Sequence, residues 1–149
     1  MAGGWQHRRG GATPTSTQGE SSRTKGLRHA LAKAHPGSFW WKMHGSEFVV
    51  RGLPDLFGCV DGYLYAIEVK IGTNWFSASQ VARLRELHRA GACAGGVVLP
   101  KEKTGEAWWV PVTSMGHKGD HRRNTWVPFK PTDLIFFRSE LSSGTPSDP

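Results

Sequence analysis

Cysteine is scarce in this sequence. The chain has two, Cys59 and Cys93, and they form no CxxC pair. That excludes a disulfide scaffold or a zinc ribbon as the organising principle. Long apolar runs are also missing. No stretch approaches the length that crosses a bilayer, and no apolar segment follows the basic His7-Arg8-Arg9 cluster as a secretory leader requires. A soluble protein in a reducing, cytoplasmic setting with no membrane partner is therefore expected. Gly95-Gly96 is followed by no Lys-Ser or Lys-Thr, so it points to close packing rather than to a phosphate-cradling loop. There is no internal repeat.

Positive charge is present in excess. Lys and Arg number 19 against 12 Asp and Glu, a formal net charge of +7 over 149 residues. Such a balance favours polyanionic partners, because each phosphate neutralised by Lys or Arg releases counterions. A basic surface can equally serve solubility alone. The length suits one domain with a hydrophobic core.

Residues 1–18 are rich in Gly, Ser, Thr and Arg and read as a flexible basic arm. Leu27, Leu31 and Ala34 then recur at helical spacing among Arg23, Lys25, Arg28 and Lys33, and Pro36 ends the run. The pattern predicts an amphipathic helix from Glu20 to about Ala34, with Gly26 weakening it. Ser38–Met43 suits an aromatic strand, and Gly52–Val60 a turn entering a second. Asp61-Gly62 is a hairpin signal, with Tyr63–Ile71 as the returning arm. Ser77 to about Ala90 reads as a helix capped by Ser77 or Ser79 and ended by Gly91. Strands follow at Ala94–Pro100 and Ala107–Val112. The order implies an α/β core with a mixed sheet and the hairpin strands near its centre. The core is assigned to residues 19–113. Residues 114–141, which include a polar loop and the apolar Trp126–Arg138 stretch, form an extension packed on the core or at a dimer interface. Residues 142–149 read as a disordered tail.

The chemistry is concentrated in Pro54-Asp55 and Glu68-Val69-Lys70. Side chains alternate along a strand, so Glu68 and Lys70 share a face and Val69 points to the other. The Asp61-Gly62 turn folds the Asp55 strand back and can bring Asp55 beside Glu68. Two converging carboxylates make an oxygen-rich site for a hard dication such as magnesium, and the Val69 carbonyl can add another oxygen. The plainer alternative is an ordinary Glu–Lys pair on a wet sheet face, which contributes little to stability.

Gly52-Leu53-Pro54-Asp55-Leu56, then Ala66-Ile67-Glu68-Val69-Lys70, then Ser79-Gln80 together resemble the PD-(D/E)XK nuclease superfamily. More narrowly, they resemble its virus-type replication-repair nuclease (VRR-NUC) domain, with Holliday-junction resolvases as compact relatives. The resemblance spans about Glu20 to Leu99. It implies a restriction-endonuclease-like core: a central mixed β-sheet flanked by helices. It implies that Asp55 and Glu68 are metal ligands, with Mg2+ as the cofactor and Mn2+ able to replace it. Lys70 would position or deprotonate the attacking water, and Gln80 would reach back toward the metal. Family members often carry a Glu on the first helix, for which Glu20 is the candidate; an acid in a helix first turn is the alternative reading.

Lys42, His44 and Arg51 are candidate phosphate contacts near the motif, and Lys118, Arg122 and Arg123 beside Trp126 a candidate DNA strip. Surface charge over a packed tryptophan is the alternative for the strip. A metal cluster at His117, Asp120 and His121 is disfavoured, because no fourth ligand is evident. The expected function is a metal-dependent DNA endonuclease selective for branched or junction DNA, acting as a homodimer in phage or prophage replication, recombination or repair. A phage-encoded protein would work in the bacterial host cytoplasm. A non-catalytic DNA-binding module on the same fold and a site-specific restriction enzyme are the rivals.

Overall fold

The computed structural model describes residues 16–44, 50–115 and 125–141. Helix α1 (Ser16–Ala34) leads into β1 (Phe39–Lys42), β2 (Leu56–Val60) and β3 (Tyr63–Ile71). Helix α2 (Ala78–Arg89) follows, then β4 (Cys93–Leu99), β5 (Ala107–Pro111) and β6 (Val127–Phe129), and a run of 3-10 turns at Pro131–Leu141. The strands form one sheet in the order β1-β2-β3-β4-β5-β6. Only β3 and β4 run parallel, because α2 carries the chain across between them.

Asp61 and Gly62 have φ of 51° and 82°. Positive φ at both central residues makes the tight hairpin turn that matches strand twist. It fixes the register Val60↔Tyr63 through Leu56↔Ile67, so continuing one step places Asp55 opposite Glu68. The expectation from the sequence is met.

The sheet is covered on both faces. On one, Leu27 and Leu31 of α1 pack with Trp40, Leu56, Tyr65, Ile67, Val69, Val97 and Trp109, and the C-terminal Phe129, Leu134 and Phe137 complete that layer. On the other, Val81 and Leu84 of α2 pack with Ala66, Ala94, Val98 and Val110. Gly95 and Gly96 allow this thickness: a Cβ on either would overlap the Trp109 or the Phe76 ring. Close packing is their role, as expected.

One expectation changes. Helix α1 begins at Ser16, before Glu20, so Glu20 is not a first-turn acid, and the helix takes in the last residues of the stretch read as an arm. No apolar periodicity marks those added residues. The C-terminal aromatic segment is mainly internal. Trp109 stacks on Phe137 with ring centroids 4.6 Å apart, and only Val127, Ile135 and Phe136 of its large apolar side chains are exposed. Trp126 stacks on Trp75 at 6.2 Å, the packed-tryptophan alternative. Lys118, Arg122 and Arg123, with His117, Asp120 and His121, lie outside the described residues. Among the described residues no helix is long and apolar enough to cross a membrane.

Candidate active site

Asp55 stands where β2 begins. Its backbone carbonyl accepts from Met43 N–H at 2.8 Å, which extends the β1–β2 ladder by one rung. Its carboxylate Oδ2 accepts from Val69 N–H at 2.8 Å. The side chain thus takes the place of the next backbone partner and is held against β3. N–H and C=O of one residue leave an extended strand on the same side, so the Val69 carbonyl points toward Asp55 as well.

Val69 lies in the core layer under α1, and Glu68 faces the opposite side, toward α2. Glu68 is 2% exposed. The wet-face alternative is thereby excluded. Lys70 Nζ lies 3.4 Å from Glu68 Oε1. Gln80 Nε2 donates to the same oxygen at 2.7 Å. Glu68 Oε2 is buried and has no hydrogen-bond partner.

Gln80 is placed by a capping box. Ser77 Oγ accepts from Gln80 N–H at 3.2 Å, and Gln80 Oε1 accepts from Ser77 N–H at 2.9 Å. One side chain serves both ends: its carbonyl caps the helix and its amide reaches Glu68. The start of α2 is also fixed against the loop before Asp55. Gly52 has φ of 82°, and a Cβ there would lie 2.5 Å from the Ser79 carbonyl oxygen. Only glycine permits both the left-handed backbone and that approach. The contact was not foreseen, although the glycine of Gly52-Leu53-Pro54-Asp55 is its signal.

The electrostatics follow from burial. Glu68 is pushed up to about 8, first by desolvation and then by the Asp55 charge, with Lys70 pulling the other way. An isolated carboxylate in such a place favours its neutral form unless a cation compensates it. Glu20 is raised too, chiefly by burial, with Lys70 lowering and Asp55 raising it. Its carboxyl therefore lies within electrostatic reach of the pair, at the edge of the cluster.

The candidate DNA contacts divide. Lys42 Nζ donates to Ser21 Oγ on α1, beside Glu20. No local pattern announces this link. His44 and Arg51 are exposed near the site, and Arg51 offers its carbonyl to Arg83 at 3.4 Å.

The fold has a solved counterpart. The structure of Archaeoglobus fulgidus Hjc, a Holliday junction resolvase from an archaeal hyperthermophile, superimposes with a TM-score of 0.56 at 20% identity. The match covers 77% of this chain and 97% of that one. This chain shares the fold of that protein. No family model matches this chain, and no curated protein matches it in sequence.

In this resolvase-like frame, Asp55 and Glu68 meet at the junction of β2 and β3, with Lys70 and Gln80 around them. Among the described residues no group of three or more His, Cys, Asp or Glu gathers. The donor set is two carboxylates and a carbonyl. It suits magnesium, which keeps several waters and binds through one or two carboxylates plus substrate phosphate. The buried, unpartnered Glu68 Oε2 is an oxygen with a lone pair to offer such an ion.

Proposed function

We propose that this protein is a magnesium-dependent endodeoxyribonuclease of the PD-(D/E)XK type, VRR-NUC-like in its motifs, that hydrolyses phosphodiester bonds in branched or junction DNA. The observation that carries the reading is the buried Glu68, held by Gln80 and Lys70 on one oxygen and, among the described residues, met by no donor on the other, with the Asp55 carboxyl close by. Burying a carboxylate costs several kcal/mol, and a structural Glu–Lys pair would have both oxygens satisfied or wet.

In this reading Asp55, Glu68 and the Val69 carbonyl hold the ion. A cation held by these residues would supply positive charge for the scissile phosphate and make bound water more acidic. The Lys70 ammonium faces the same space and orients the attacking water. It also offsets charge that grows on the phosphate oxygens. Gln80 holds Glu68 in one orientation, as outer partners of metal ligands do. Water adds to phosphorus, the bond to the leaving sugar oxygen breaks, and that oxygen takes up a proton. Lys42, His44 and Arg51, with Lys118, Arg122 and Arg123, are assigned to phosphate contacts.

A homodimer would present two such sites to matched strands of a four-way junction, with the exposed Ile135 and Phe136 as part of the contact. The proposed setting is phage or prophage DNA metabolism in the bacterial cytoplasm. The test is incubation of labelled four-way junction, flap and plain duplex with Mg2+, Mn2+ or chelator, beside Lys70→Ala. Metal-dependent cutting, strongest on branched DNA and lost in the variant, is expected. Binding without cutting in any metal would replace the enzyme by a binding module. Discrete fragments from long duplex would favour a restriction-type enzyme.

A further inference from the structure

At the carboxyl end of β3, beginning at Ile71 next to Lys70, lies a groove of about 760 Å³. One wall comes from α1 with Glu20 and Arg23. The others are the Gly72–Asn74 turn after β3 and the turn after β4, which carries Lys101 and Lys103. Groove and cluster are neighbours along β3, since Ile71, which lines the groove with Glu20, directly follows Lys70.

The walls are tied together. Arg23 donates to the Pro100 carbonyl at 2.9 Å and to the Lys101 carbonyl at 3.5 Å, which anchors the β4–β5 turn to α1. Gly72 N–H donates to the Leu99 carbonyl at 2.9 Å, and a Cβ on Gly72 would lie 3.6 Å from Lys101 Cβ. The two turns therefore abut. Lys101 and Lys103 are exposed and form no salt bridge among the described residues. Their neighbours in the groove include one acid, Glu20, and no aromatic ring.

Lysine ammonium groups neutralise phosphates as point charges, without reading bases. A groove with no aromatic ring offers no platform for base stacking. Its chemistry is that of a nucleic-acid backbone, and it starts at Ile71, one residue beyond Lys70. We infer that this groove is a backbone subsite in which Lys101 and Lys103 hold phosphates of the DNA strand next to the cut. The inference rests on the DNA-nuclease reading of the Asp55–Glu68 cluster.

The full-length protein is titrated with labelled four-way junction in chelator, from about 50 to 200 mM salt, a range over which phosphate contacts are resolved. Each phosphate neutralised contributes about 0.9 to the slope of log K against log salt. Lys101→Ala/Lys103→Ala is expected to flatten that slope by about 2 and to weaken binding equally across sequences. The comparator Lys33→Ala/Arg89→Ala removes as much charge from exposed positions at the far ends of α1 and α2 and is expected to keep the wild-type slope. Equal slopes for the two variants, or a wild-type slope in the first, overturn the subsite. A flattened slope in a wild-type background that cuts nothing under Mg2+ or Mn2+ keeps the subsite and removes the nuclease reading. A wild-type protein that binds no DNA removes both.

Discussion

Gln80 and Glu68 are joined by a 2.7 Å hydrogen bond from the Gln80 amide to Glu68 Oε1. The other end of the same amide caps α2 through Ser77. One side chain thus ties the helix start to the least solvated acid among the described residues. Its two functions separate by mutation. Ser77→Ala removes the cap and leaves the Glu68 bond, so it costs about 1 kcal/mol of stability with magnesium affinity largely kept. Gln80→Ala loses both, and magnesium affinity should fall about 10–100-fold, as for other partners that orient metal ligands. Calorimetric metal titration beside thermal melts checks this; equal magnesium affinity in the two variants would contradict it.

Stability of the metal-free protein should depend on pH through Glu68. Its folded value, about 8, lies above its ordinary 4.5, so between these the folded state binds more protons than the unfolded chain. The contribution is fully present below about pH 4.5 and is lost as pH rises through about 8. Urea unfolding in chelator from pH 5 to 8.5 should show declining stability, and Glu68→Gln should flatten the decline. Magnesium, which needs the ionised carboxylate, should bind with proton release and offset the loss at the alkaline end. A decline that persists unchanged in Glu68→Gln would assign it elsewhere.

Gly52→Ala should be among the costly single-methyl additions in the chain. The φ of 82° and the 2.5 Å approach to the Ser79 carbonyl leave no room for a Cβ, and left-handed strain alone costs on the order of 1–3 kcal/mol. Because Gly52 lies three residues before Asp55, metal affinity should drop as well. Chemical denaturation and metal titration of the variant measure both. An unchanged denaturation midpoint would mean that the loop shifts freely.

Phe136 and Phe137 should behave oppositely. Phe137 is buried against Trp109 and Phe129, so Phe137→Ala should cost about 3–5 kcal/mol. Phe136 is 66% exposed, so Phe136→Ala should cost far less stability and should act instead on self-association, read by light scattering. A monomeric wild-type protein, with and without junction DNA, would remove the dimer from the proposal.

Much of the architecture was legible from local patterns. Asp61-Gly62 announced the hairpin, and counting back from it paired Asp55 with Glu68. Ser77 and Gly91 bracketed α2, and the alternation through Ile67, Glu68, Val69 and Lys70 separated core from chemistry. These features obey rules that act within a few residues: turn dihedrals, capping and strand pleat. The start of α1 was less legible, because residues before Glu20 carry no apolar periodicity.

The sequence by itself determined the elements, the hairpin register and the residue types available for metal chemistry, since each depends on neighbours along the chain. Only the tertiary structure decided that Glu68 is sealed from water, with Gln80 and Lys70 on one oxygen and, among the described residues, no donor on the other. It also turned Phe129 and Phe137 inward and let Arg23 bind the β4–β5 turn to α1. Burial and charge coupling depend on what a distant segment covers, and no local pattern encodes that contact.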